Sequence, residues 1–133
     1  MKSGLVSLLA NEATISTLVG SRVYVGNAPQ NAEYPYILLT QMDSDEMGSL
    51  DATTSNLRSV TFDIDCKALR SLTATTLGDA VRVFLDDYTG AAGSETVRAV
   101  VMNSENDGYE PPVDGSEIGT YVVTLDVDVF YNP

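Results

Sequence analysis

The sequence predicts an α+β fold, a mainly antiparallel sheet of about four strands with two helices packed on one face. Two observations carry most of that prediction. Apolar and polar residues alternate along 60–67 and again along 121–131, and apolar residues recur at helical spacing along 3–19 and 71–88. The third is order: helix, strand, strand, helix, strand, strand, with no repeat or composition break to mark a second domain. One domain over residues 1–133 follows, long enough to close a modest core.

Leu5, Leu8, Leu9, Ile15, Leu18 and Val19 form the first apolar stripe. Asn11 is expected to recap it midway, giving either one kinked helix or two short ones, and Gly20 supplies the stop. Residues 23–35 read as loop, punctuated by Asn27-Ala28-Pro29-Gln30-Asn31 and Tyr34-Pro35. Residues 36–42 are near-continuously apolar, as in a strand buried on both faces. Residues 43–56 read as a long polar loop.

Val60, Phe62, Ile64 and Cys66 then point one way, with Thr61, Asp63, Asp65 and Lys67 opposite. Ser71 reads as the N-cap of a helix whose stripe is Ala74, Leu77, Val81, Phe84, Leu85 and Tyr88. Asp79, Arg82, Asp86 and Asp87 lie outside it, and Gly90 and Gly93 close it. A short strand is expected over 97–102 and a second polar loop over 103–119, with Pro111-Pro112 inside it. In the last strand Tyr121, Val123, Leu125, Val127, Val129 and Tyr131 share a face, against Thr124, Asp126 and Asp128.

Charge narrows the function. Seven Lys and Arg stand against nineteen Asp and Glu, a formal charge of −12 with no histidine. Duplex affinity comes from Lys and Arg displacing counterions, so binding nucleic acid by charge is not expected. One cysteine provides neither a disulfide framework nor a thiolate zinc site. No apolar run approaches the ~20 residues of a membrane helix, and the interrupted start at 1–10 reads as a buried amphipathic helix instead of a signal peptide. A soluble, intracellular-type domain is the expectation.

Catalytic signatures are absent from the sequence. A general base near neutral pH would have to be a perturbed carboxylate, Lys2 or Lys67. No nucleophile elbow, phosphate loop or dinucleotide turn is present. Cys66 lacks a histidine partner and reads as a core thiol. An enzyme is not expected, and a carboxylate-based hydrolase is the least favoured class. No cofactor is called for.

Two stretches resemble calcium loops in part. Asp43-x-Asp45-x-Met47-Gly48 has methionine at its fifth position and Thr54 where a bidentate Glu should close the shell. Asn103-x-Glu105-x-Asp107-Gly108 reaches only Asp114 there, past two prolines. Solvated acidic loops with a turn glycine are the simpler reading, and a calcium-responsive binding module is the alternative they leave. The outward acids Asp63, Asp65, Asp126 and Asp128 say more. If their strands are neighbours, like charges face each other at a cost of ~0.2–1 kcal/mol per pair. Such a face is either ordinary solvated surface, or it lines an aqueous passage or meets cations of another subunit.

The run Leu18-Val19-Gly20-Ser21-Arg22-Val23-Tyr24, then Ala28-Pro29-Gln30, then Tyr34-Pro35-Tyr36-Ile37, is similar to the tail-completion or tail-terminator proteins of long-tailed, lambda-like bacteriophages. The order of a leucine-rich helix, alternating strand, Ala/Leu/Val helix and closing alternating strand extends the resemblance over nearly the whole chain. It implies a structural virion protein that forms a ring of its own copies, usually a hexamer. That ring caps the tail tube, ends its polymerisation and offers the surface that joins the head connector. Expected partners are further copies, the tail tube protein and the connector protein; genomic DNA passes through the lumen without specific binding. Expected locations are the head-tail junction of the virion and, during assembly, the host cytoplasm; no membrane is involved.

On that reading Asp63, Asp65, Asp126 and Asp128 are candidates for the lumen wall, where acids repel phosphate. Arg22, Arg58, Arg70 and Arg98 are candidates for pairing with acids of the next subunit, since the guanidinium fork suits carboxylates. Asp43, Asp45, Glu46, Asp51, Glu105, Asp107 and Tyr109, in the two polar stretches, are candidates for partner binding. The alternative within this setting is another neck or connector-completion protein.

Overall fold

The computed structural model describes residues 1–46, 57–112 and 119–133. Among these residues three helices and six strands follow the order α1 (Lys2–Asn11), α2 (Ala13–Val19), β1 (Val23–Val25), β2 (Tyr36–Glu46), β3 (Arg58–Ala68), α3 (Ser71–Leu85), β4 (Gly90–Ala92), β5 (Glu95–Glu110) and β6 (Thr120–Asn132). One sheet holds all six strands in the order β1-β2-β3-β6-β5-β4. Only the short β1–β2 pair is parallel. The expected antiparallel sheet is present, with two short edge strands beyond the expected four, and the first helical stretch takes the two-helix alternative.

The first apolar stripe is two helices. Glu12, in extended backbone (φ −75°, ψ 127°), separates them and caps α2, its Oε2 accepting from the Ile15 amide at 3.1 Å. The recapping residue is therefore Glu12, not Asn11; a side chain one residue further on reaches the exposed amide. Gly20 ends α2 at φ 60°, as expected. α3 begins one residue earlier than its sequence signal. Arg70 occupies the N-cap position in extended backbone with no side-chain cap, and Ser71 is already helical. It also stops earlier, at Leu85: Asp87, at φ 58°, takes the turn assigned to Gly90, which instead opens β4.

The core lies between the sheet and the helices. Phe62, Ile64, Cys66, Leu125 and Val127 are fully buried on the inward sheet face, against Leu5, Leu9, Ile15, Leu77 and Val81. α3 lies over β3 and β6, while α1 reaches both β1 and β4. Contact across this layer is close enough to dictate residue size. A Cβ on Gly78 would stand 2.7 Å from Val123 Cγ1, and one on Gly4 would stand 2.5 Å from the Ala92 carbonyl oxygen.

Both polar stretches contain strand. β2 runs on through residues 43–46, beyond a bulge between Gln41 and Asp43 that leaves Met42 exposed. β5 covers 95–110 and pairs with β6 along that length, so the expected loop from Asn103 is extended backbone as far as Glu110.

Candidate functional site

The outward face of the sheet is built by register. β3 and β6 are neighbours, and Asp63 stands directly opposite Asp126. Asp65 faces Thr124, whose Oγ1 donates to the Asp65 carboxylate at 2.8 Å. Asp128 faces Thr61 and accepts from its Oγ1 at 2.6 Å. Asn103, at the β5 bulge between Met102 and Ser104, donates Nδ2 to Asp126 Oδ1 at 3.1 Å. A bulge re-aims a side chain in this way. All four predicted lumen acids are thus brought together in one patch, three of them holding a neutral hydrogen-bond donor. Those donors, Thr61, Thr124 and Asn103, were not legible in advance, because they depend on register.

Among the described residues no neutral side chain donates to Asp63. Burial, then the Asp126 charge and a hydrogen bond to it, push the Asp63 carboxyl above the usual carboxylate range. Among the described residues, Lys67 is the only cation at the outward positions of β3 and β6. It stands at one end, paired through Nζ with Glu110 Oε1 at 3.1 Å. The patch can therefore repel anions. Among the described residues no group of three or more His, Cys, Asp or Glu is arranged to hold a metal ion.

The four arginines do not converge. Arg22 is turned inward, with Nε on the Pro35 carbonyl at 3.0 Å and Nη2 on that of Leu18 at 3.5 Å. Arg58 opens β3 opposite Glu46 and Tyr131. Arg70 is exposed at the start of α3, and Arg98 is exposed with Nε on Asn132 Oδ1 at 2.6 Å.

The partner-binding candidates fall at opposite ends of the sheet. Asp43, Asp45 and Glu46 lie in β2 toward the Arg58–Tyr131 end; Asp51 lies outside the described residues. Glu105, Asp107 and Tyr109 lie in β5 toward the Ala68–Tyr121 end. The stretch Asn103–Gly108, a partial calcium-loop match read more simply as a solvated loop, is strand instead, and a paired strand cannot wrap its side chains around an ion as a turn does. Of the other motif, Asp43 and Asp45 sit in strand and the remainder lies outside the described residues. At the Tyr121 end, the rings of Tyr109 and Tyr121 meet tilted at 53° with centroids 4.9 Å apart, and Tyr34 meets Tyr36 at 5.1 Å.

Cys66 is buried, and burial pushes its thiol well up, away from thiolate. An apolar groove of about 360 Å³ runs between α2 and α3 along Thr14, Thr76, Ala80, Val83 and Phe84. No helix among the described residues is long and apolar enough to cross a membrane.

An acidic sheet face, a helical layer and two oppositely directed hairpins make a structural unit, and comparison with known proteins identifies its kind. The fold matches a chain from the virion of a native gene transfer agent particle, with a TM-score of 0.60 at 16% identity, covering 97% of this chain and 92% of that one. Against the curated proteins, no sequence matches. The family model for tail completion protein gp17 matches residues 3–132, and the chain belongs to that family. It is a structural protein of the phage-type tail and virion.

Proposed function

We propose that copies of this chain close into a ring, a hexamer by the family resemblance, that caps the tail tube, halts its growth and provides the surface on which the head connector docks. The observation that carries this reading is the Asp63–Asp126 pair and its flanking acids Asp65 and Asp128 on neighbouring strands. A solitary domain gains nothing from like charges set opposite each other, which cost roughly 0.2–1 kcal/mol. A channel wall does: acids along a passage for DNA leave no attractive wells for phosphate.

The two hairpins support a joining role as well. Since β2–β3 and β5–β6 turn at opposite ends of the sheet, one copy offers separate ends to tube and connector. On this reading Arg58, Arg70 and Arg98, whose side chains are exposed, meet acids of a neighbouring copy. Arg22 is the weakest of the four, being committed to backbone carbonyls.

Electron micrographs of tails made without this protein test the reading. Tubes of uncontrolled length, or finished tails unable to join heads, are the expected result; normal infectious particles would overturn it. A pull-down against purified tube protein separates a terminator from a neck component of the portal side, which would leave the tube unbound.

A further inference from the structure

Both margins of the sheet are left partly open. β4 covers β5 only at Glu95–Val97, so among the described residues no strand pairs with the outer edge of β5 from Arg98 to Glu110. On the far margin β1 covers β2 only at Ile37–Leu39, so among the described residues no strand pairs with the outer edge of 40–46. Residues 103–110 are exposed side chain by side chain. An open edge of this length presents unpaired backbone amides and carbonyls and is a template for an added strand.

Its charge selects the occupant. Along the open stretch Glu105, Asp107 and Glu110 are acidic and Arg98 is the only cation. The open part of β2 is acidic too, with Asp43, Asp45 and Glu46 and no Lys or Arg. The two edges run in opposite directions, which suits antiparallel pairing between copies, yet like charges would then face each other across the new ladder. Self-pairing is thereby disfavoured, and a basic strand is favoured.

We propose that the β5 edge, Arg98–Glu110, binds an extended, Lys/Arg-bearing segment of a different protein by strand addition. Main-chain hydrogen bonds supply the ladder, and Glu105 and Asp107, on one face of the strand, select the charge, while Glu110 is held by Lys67. The proposal stands on the sheet edge alone and holds whether or not the chain closes a ring.

The test titrates isotope-labelled protein with a synthetic peptide of about nine residues alternating lysine with valine or threonine. Its controls are the same pattern with glutamate for lysine and an equally basic peptide interrupted by prolines. The alternating basic peptide is expected to shift and protect amides within 98–110. Its affinity should fall about tenfold or more in the double variant Glu105→Gln, Asp107→Asn, and also as salt rises. These side chains are exposed, and a melting curve checks that the variant folds. Four results would overturn the proposal: no binding; equal binding of the proline-interrupted peptide; perturbation centred on the face of Asp63 and Asp126; or self-association through the same amides.

Discussion

Gly78 sits inside α3, where glycine costs roughly 1 kcal/mol of helix stability relative to alanine. The reason for it lies across the layer. An added Cβ would stand 2.7 Å from Val123 Cγ1 and 3.2 Å from Val123 Cβ, so rotating the valine relieves only part of the clash. Gly78→Ala is expected to lower stability by about 1–3 kcal/mol in urea unfolding, as overpacking does. In a Val123→Ala background the same change should be neutral or stabilising. Asp63 makes the second residue-scale prediction. Its native pKa is raised above the ordinary 3.8, so the folded state holds the proton more tightly than the unfolded chain. Its contribution is therefore largest in acid and is lost as pH rises through the raised value. Asp63→Asn should stabilise the protein at neutral pH by about 0.2–1 kcal/mol, with the gain shrinking toward pH 3 in paired thermal melts.

At the scale of elements, the break between α1 and α2 rests on one cap. Glu12→Ala removes the bond to the Ile15 amide and should cost about 1 kcal/mol by chemical denaturation, while Glu12→Gln retains most of it. The elements legible in the sequence were those with a face to bury. Phe62 and Ile64 in β3, Leu77 and Val81 in α3, and Leu125 and Val127 in β6 alternate or recur because one side of each meets the core. β5 beyond Met102 has no such side. Its residues are polar on both faces, and it is held by backbone pairing with β6, which leaves no mark in side-chain pattern. β1 and β4, three residues each, are too short to show a period. The acidic face was legible as outward positions, while its Asp63–Asp126 juxtaposition required the register of two strands far apart in sequence.

At the scale of the whole molecule, a formal charge of −12 sets copies against one another. Exposed ion pairs contribute little, so apolar contact must hold a ring together, with salt relieving the repulsion beyond about 8–10 Å. Oligomers formed without the tube are accordingly expected to increase with ionic strength in sedimentation experiments. Constant or falling assembly would point to ion pairs as the main attraction. The central claim is that this chain acts by shape and charge around a DNA passage, and imaging assembled tails by electron cryo-microscopy tests it most directly. The account predicts a closed ring of this protein on the head-proximal end of the tube, its opening wide enough for duplex DNA and walled by Asp63, Asp65, Asp126 and Asp128. An open or absent ring, or an opening too narrow for a double helix, would contradict it.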